Sequence, residues 1–299
     1  MATRQAVVIS SGRSRRGKEA HACVPSLLLQ RGIEVLDARL EPTRELVAKA
    51  IKKAMRAGTK LVIVCGGDGT QTHAVPLFAN ASCTLGIVPA GTGNSFALGL
   101  GIEDSFERAA DAIAYGEEAR VDLGIINDTY FANFVTVGLP SQVAAETPRP
   151  LKSLVGAVAY GLAGIVPLLT HKPFRAEFRW KGHQVRVQTH QIIIANGRFY
   201  GHQPLARDAS LVDGRLTVYV RNATSRMDLL ESYVSLLRGD PESLSGVHLW
   251  STPKTISVRT KRKAPVAVDG SLFCKTPIRV GVAPKALRVM VPSVSGMPA

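Results

Sequence analysis

The sequence predicts an α/β N-terminal domain built on a doubly wound parallel sheet, followed by a mainly antiparallel β domain. Apolar β-branched runs alternate with amphipathic stretches from residue 6 to about residue 120, the pattern of strand–helix–strand crossovers. Two of these runs end in glycine turns, Gly66-Gly67-Asp68-Gly69-Thr70 and Gly91-Thr92-Gly93-Asn94, where such sheets keep their ligand crevice. After Asp122 the texture changes to short β-rich runs bounded by turn residues, which points to a second domain. The expected division is 1–122 and 123–284.

Residues 6–9 form the first strand. The loop 10–18 clusters hydroxyls, glycines and guanidinium groups, a composition that can ring a phosphate. A helix is expected over 19–31, stopped by Gly32, then a strand over 33–36. Residues 43–57 place Leu46, Val47, Ala50, Ile51 and Ala54 on one helical face, and Gly58 ends the helix. Residues 61–64 read as a buried parallel strand. The helix behind the first glycine turn is kept short by Pro76, and a further helix is expected over 103–115. In the second part, strands are expected at 130–137, 174–180, 185–194, 216–220, 255–259, 264–268 and 286–291, with a helix over 225–238. The apolar stretch 151–170 carries no charge from Leu154 to Leu169. It is broken by glycines and Pro167 and falls short of the roughly 20 residues of a membrane span. It reads as a buried helix, with the wall of a lipid-binding cleft as the alternative.

Hydrophobic residues at 45% against 20% charged describe a globular chain. The net charge of +14 reads either as solvated basic faces or as a sign of a polyanionic partner: nucleic acid, an anionic membrane surface or a polyphosphate. No basic stripe is interleaved with aromatics and no zinc or helix-turn-helix pattern occurs, so no nucleic acid partner is expected. An anionic leaflet attracts such a surface without any spanning segment, through runs such as 13–18 and 261–263. Cys23, Cys65, Cys83 and Cys274 lie in apolar contexts without metal-ligand spacing and read as reduced, mostly buried thiols. No apolar leader precedes the first strand. The expected localisation is cytoplasmic, with peripheral membrane association.

Glycines at 66, 67 and 69 permit positive φ and leave room for a bulky anion beside the backbone. A strand, a glycine turn and a helix start together offer N–H groups to a phosphate. Asp68 sits where it can hold Mg²⁺ or accept a proton. Histidines His73, His171, His190, His202 and His248 show no metal-ligand pairing and read as structural.

The pair GGDGT and PAGTGNSFA, followed in order by motifs at 120–124, 196–202, 208–216 and 268–270, resembles the diacylglycerol kinase catalytic-domain family. That family includes bacterial lipid kinases, sphingosine kinases and ceramide kinases, and the resemblance covers nearly the whole chain. It implies an NAD-kinase-like first domain, a β-rich lipid-substrate domain, and a tail at 285–299 that returns to the first domain. It implies ATP-dependent transfer to a hydroxyl of a diacylglycerol-like or sphingoid lipid, with ATP and Mg²⁺ as cofactors. Gly66, Gly67, Asp68, Gly69, Thr70, Gln71 and Thr72 would form one wall of the nucleotide cradle, and Gly91, Thr92, Gly93 and Asn94 the other. Asp68 would coordinate Mg²⁺ or orient the hydroxyl, with Asp122 in support. A second Mg²⁺ site would use Ser210, Asp213 and Arg215 through two backbone carbonyls and one carboxylate; the alternative is a metal-free β-turn at Asp213-Gly214.

Three departures bear on activity. Ser11-Gly12 stands where Asn-Pro is usual, and Ser95 where the family often has Asp. Ser271 follows Asp269-Gly270 where a glutamate is thought to activate the lipid hydroxyl; serine is no base at neutral pH, so Asp269 or Asp68 would take that role. The alternative is a catalytically impaired nucleotide or lipid sensor of the same fold. NAD kinases share GGDGT but carry an Asn-Glu dipeptide downstream that this chain lacks.

Overall fold

Strand β1 (Arg4–Ser11) is buried from Ala6 onward because it lies inside a parallel sheet with a neighbour on each side. The computed structural model describes residues 4–146, 171–200, 203–206 and 208–293. The apolar stretch 151–170 and His202 lie outside the described residues. The chain divides into two units, Met1–Leu123 with Pro284–Ala299, and Gly124–Ala283.

In the first unit β1 is joined by β2 (Ile33–Glu41), β3 (Leu61–Gly66) and β4 (Thr84–Pro89) in the parallel order β2-β1-β3-β4. The closing strand of the chain returns beside β4, with Val289 opposite Leu85. Every residue of β3 and β4 is buried, which is why both read as unbroken apolar runs. Helices α1 (Gly17–Leu29), α2 (Arg44–Arg56), α3 (Asp68–Ala74), α4 (Ser95–Gly99) and α5 (Phe106–Tyr115) fill the crossovers. α1 packs with α5, and α2 with α3. The Thr43 hydroxyl accepts the Leu46 N–H and starts α2. The Ser105 hydroxyl accepts the Arg108 N–H, so α5 begins at Phe106 rather than at residue 103. β2 runs to Glu41, five residues past its expected end, because it stays paired with β1 as far as Ser11 opposite Glu41. The chain leaves β1 toward β2 on one side and meets β3 on the other, which places the switch-point crevice at the carboxyl ends of β1 and β3.

The second unit begins as β5 (Glu117–Ile126) passes Leu123. It contains β6 (Thr129–Phe131), β7 (Phe134–Gly138), α6 (Leu139–Glu146), β8 (Phe174–Trp180), β9 (His183–Thr189), β10 (Gln191–Ala195) and the small ladder of β11 (Phe199–Tyr200) with β12 (Gln203–Pro204). Then come β13 (Leu216–Arg221), α7 (Arg226–Arg238), β14 (Val247–Thr252), β15 (Ile256–Thr260), β16 (Pro265–Val268), β17 (Ser271–Lys275) and β18 (Ile278–Val291). One antiparallel layer runs β14-β13-β10-β7-β16-β17. The other is formed by β9, β8, β15 and the first part of β18. Val135, Val137, Ile192, Val218 and Val266 from the first layer meet Phe178, Val187, Val258, Ile278 and Val280 from the second in one core. The parallel α/β part and the antiparallel β part are those the sequence predicts.

Several boundaries differ from the expectation. The run 130–137 is two strands, separated where the backbone at Ala132 and Asn133 bends to a carboxylate. The run 185–194 is also two strands, and β9 and β10 belong to different layers. At the break, the Thr189 hydroxyl caps the Gln191 N–H, a local bond that competes with the ladder. β14 and β17 had no apolar alternation to announce them, and Leu272 and Phe273 of β17 are exposed. β18 is 14 residues long and starts at Ile278 rather than at 286. Ser225 and Asp228 form a reciprocal capping box at the start of α7. Cys65 and Cys83 are buried, and burial pushes their thiols up to about 12 and about 11. Cys274 is half-buried, whereas Cys23 is exposed because its side of α1 faces away from the sheet.

Phe178 is fully buried between the two layers. Phe178→Ala should lower the unfolding free energy by about 3–5 kcal/mol in urea titrations, through lost transfer energy and the cavity left behind. A loss below about 1 kcal/mol would mean that the layers close over the gap.

Candidate functional site

Three loops of the first unit meet at the switch point. The turn after β3 and the turn after β4 lie backbone against backbone. A Cβ on Gly67 would stand 2.7 Å from the Gly91 Cα, and a Cβ on Gly91 would stand 2.4 Å from the Gly67 Cα. A Cβ on Gly66 would meet the Thr70 side chain at 2.5 Å. The expected reason for these glycines is corrected by the backbone. Gly66, Gly67, Gly69, Gly91 and Gly93 all lie outside the left-handed region, with Gly67 at φ −92°. Close approach, not left-handed backbone, requires them: Gly67 and Gly91 because the two turns touch, Gly66 because of the Thr70 side chain, Gly69 because of Arg44 and Gly93 because of Asp68. The left-handed residue in this region is Asn94, at φ 53°. Its Oδ1 accepts the Gly91 N–H at 3.0 Å and its Nδ2 donates to Asp104 at 3.2 Å, which closes the second turn.

The third loop follows β1. The Ser14 hydroxyl accepts the Gly67 N–H at 3.2 Å and lies 3.2 Å from the Thr70 hydroxyl. The Arg16 N–H donates to the Ala90 carbonyl at 3.0 Å. One short loop thus ties both glycine turns together. Gly17 is required there, since its Cβ would fall 1.8 Å from the Ser11 carbonyl oxygen. The loop's guanidinium groups do not act as one set. Arg16 is held by Glu19 at 2.9 Å and lies 4.0 Å over the Phe106 ring. Arg13, Arg15 and Lys18 are exposed and make no close ion pair among the described residues, although Arg15 still acts on Glu19 and Arg13 on Glu45 through their charge.

Asp68 is the first residue of α3 and is half-buried. Its Oδ1 accepts the Ser95 N–H at 2.6 Å, which bridges the two turns. Its Oδ2 faces Gly93, where a Cβ would stand 2.1 Å away. Oδ2 makes no hydrogen bond or ion pair among the described residues. Ser95 therefore takes part through its backbone, which any residue supplies.

The other expected residues divide between the cradle and the scaffold. Thr92 is exposed at the rim of the second turn. Thr70 is buried against Gly66. Gln71 is buried and turned back toward the Val64 carbonyl, and the Thr72 hydroxyl donates to the Asp68 carbonyl at 2.9 Å. Asp122, 1% exposed, accepts the Lys285 N–H at 2.7 Å and so anchors the returning end of the chain within the first unit.

In the second unit Asp269 accepts three backbone N–H groups, from Ala132 at 3.0 Å and from Asn133 and Phe134 at 2.9 Å. Both its oxygens are engaged in bending that backbone. Ser271 begins β17 opposite Val268. Asp213 accepts the N–H groups of Ser210 at 3.2 Å and Arg215 at 2.8 Å, closing its own turn, while the Arg215 guanidinium donates to the Ser251 carbonyl at 2.8 Å. Among the described residues no group of three His, Cys, Asp or Glu side chains is placed to hold a metal. His171 and His190 lie with ring centroids 5.4 Å apart, and burial lowers both below the usual histidine value, His171 to about 4.

The sequence singles out Ser14 only as one hydroxyl of the loop 10–18, and it does not single out Asp104 or Arg44, whose guanidinium lies where a Cβ on Gly69 would come within 2.5 Å. Ser14 was signalled by its place in the loop after the first strand of a doubly wound sheet. Arg44 and Asp104 belong to other crossovers and carry no local signal.

A family model of the diacylglycerol kinase catalytic domain matches residues 5–126, and one of the YegS C-terminal NAD kinase beta sandwich-like domain matches residues 133–291. The chain belongs to this family of bacterial lipid kinases. The "Probable lipid kinase YegS-like" of Enterobacter sp. (strain 638) is 30% identical over 256 residues, covering 82% of each chain. The "Probable lipid kinase YegS" of Salmonella typhimurium is 27% identical over 292 residues, covering 96% of this chain and 95% of the relative. A diacylglycerol kinase structure from Bacillus anthracis str. Sterne superposes with a TM-score of 0.71 at 18% identity, covering 97% of both chains, and so shares the fold. Family membership supports lipid phosphotransfer in general terms. Among the described residues no helix is long and apolar enough to cross a membrane.

Gly67→Val should weaken nucleotide binding by roughly tenfold or more in calorimetry, since forcing the two turns apart costs about 1–3 kcal/mol. Unchanged affinity would show that the contact between the turns does not shape the nucleotide site.

Proposed function

We propose that the chain is an ATP-dependent lipid kinase that phosphorylates a hydroxyl of a diacylglycerol-like or sphingoid lipid at an anionic membrane surface. The observation that carries this reading is Asp68: one carboxylate oxygen is fixed to the second glycine turn and the other is uncommitted. The donor set fits a magnesium nucleotide. Mg²⁺ is commonly held by one or two carboxylates together with substrate phosphates rather than by a full protein cage. ATP with Mg²⁺ supplies the phosphoryl group and neutralises its charge when bound.

This chain's residues do the remaining work. The glycine turns bring backbone close enough to meet phosphate oxygens without intervening side chains. The N–H groups of Asp68 and Gly69, at the start of α3, have no acceptor within the helix and would be available to an anion. Asp68 would hold the metal or orient the acceptor hydroxyl. Asp122 and Asp269 are positioning residues, since each holds backbone in place. The exposed cations Arg13, Arg15 and Lys18 favour a polyphosphate at this end of the unit.

A second reading rests on Ser271 and Asp269. With serine at 271 and Asp269 engaged by three N–H groups, no uncommitted carboxylate stands on this turn, and a nucleotide or lipid sensor of the same fold would carry the same sequence. Lipid phosphorylation with γ-labelled ATP across a panel of diacylglycerols and sphingoid bases separates the two readings. The kinase reading expects label in at least one lipid, and a folded, nucleotide-binding protein that labels none would refute it. Asp68→Asn should lower turnover by at least about 100-fold while the fold persists, because Asn keeps an acceptor for the Ser95 N–H but removes the charge. Ser271→Glu should raise turnover modestly if Asp68 already positions the hydroxyl; a gain from no measurable activity would favour the sensor.

A further inference from the structure

The outer face of the β9–β8–β15–β18 layer is cationic in register. Arg186, Glu177 and Arg259 stand opposite one another across β9, β8 and β15. One row along, Arg179 stands opposite Ser257, which stands opposite Arg279. In the other direction Arg175 lies two residues from Glu177, and the Lys261 N–H donates to the Arg175 carbonyl at 3.1 Å. The alternate positions Ala176, Phe178, Val187 and Val258 face the core, so strand alternation sends the charges outward together.

Glu177 is the single carboxylate of this array. Arg186, with Nε at 2.8 Å, and then Arg179 hold its carboxyl down to about 2, so it remains ionised and braces two of the cations. Arg175, Arg259, Lys261 and Arg279 are exposed and have no carboxylate partner among the described residues. Arg175, Arg259 and Lys261 line one cleft of about 510 Å³ with Glu177, Arg186 and Asn222. Like charges on neighbouring strands are unfavourable in a free protein, and an anionic partner relieves them.

We propose that this outer sheet face, centred on Arg175, Arg259 and Lys261, docks the second unit on the phosphate headgroups of an anionic phospholipid leaflet. The inference rests on the lipid-kinase reading for its choice of partner, because that substrate resides in a membrane. The face also fits a leaflet better than a nucleic acid. Its outward positions carry Arg, Lys, Gln, Ser and Glu, and no aromatic ring stands among them for a base to stack on.

The test compares two triple variants of the full chain that remove equal charge: Arg175→Gln, Arg259→Gln and Lys261→Gln on the sheet, and Lys49→Gln, Lys52→Gln and Lys53→Gln on the exposed side of α2. Each is sedimented with vesicles of phosphatidylcholine alone or mixed with phosphatidylglycerol, at low and high salt. A cation beside an anionic surface is worth about fivefold in affinity, so the sheet triple should lose roughly 100-fold for mixed vesicles. The α2 triple should stay within about twofold of the unmodified protein, and salt should weaken binding wherever it occurs. All six positions are exposed, and matching thermal melts will confirm that neither variant is unfolded.

Equal losses in both triples, or no loss in the sheet triple, would overturn the assignment. So would a labelled single-stranded RNA that binds the unmodified protein more tightly than the vesicles do and is released by the sheet triple. A short-chain lipid, dispersed below its micelle concentration, separates the two readings. Sheet-dependent vesicle binding in a protein that phosphorylates no lipid supports the docking face and sinks the kinase. Phosphorylation with sheet-independent vesicle binding sinks the docking face alone.

Discussion

The first unit depends on one close approach, the contact of the Gly67 and Gly91 backbones. With Cα atoms at these two positions in each other's Cβ space, the turns after β3 and β4 become a single surface. That contact aligns Asp68 with the Ser95 N–H and leaves the Asp68 Oδ2 against Gly93. Ser14 and Arg16 of the loop after β1 lock the pair from the third side. A methyl at either glycine would displace backbone, and well-packed backbone has nowhere to yield. The site is therefore a consequence of main-chain proximity, with side chains added at its edges.

The carboxylates share this theme. Asp269 gathers three N–H groups, Asp122 one and Asp213 two, each shaping a turn from inside. Charge-assisted bonds of this kind are roughly twice as strong as neutral ones, so a single acid can hold a bend that local propensity would not. Asp68 stands apart because only half of its capacity is used in this way. Hydrogen-bond partners thus separate the aspartates that are spent on holding backbone from the one that keeps an oxygen uncommitted.

The excess of basic residues takes two forms. Near the first loop, the exposed cations Arg13, Arg15 and Lys18 lie in the segment that ties the two glycine turns together. On the second unit, strand register gathers cations from four strands onto one face while the opposite face forms the core. The same alternation that buries Phe178 exposes Arg179 beside it. Hydrophobic burial therefore organised the charge.

The sequence by itself determined the parallel order of strand and helix, the position of both glycine turns, and the antiparallel character of the second half. These follow from period and from turn chemistry, which are local properties. Helix starts at Phe106 and Arg226 were adjusted by one to three residues through caps whose partners lie within one turn. Only tertiary structure decided the rest. It split 185–194 between two layers, extended β18 to Ile278, turned Gln71 inward, and showed that the glycines are needed for contact rather than for left-handed backbone. It also brought Ser14, Arg44 and Asp104 to the turns and engaged both oxygens of Asp269. Each of these depends on which segments, tens of residues apart, come to lie against one another. Close approach and shared hydrogen bonds are properties of pairs of segments, and neither member carries the pairing in its own composition.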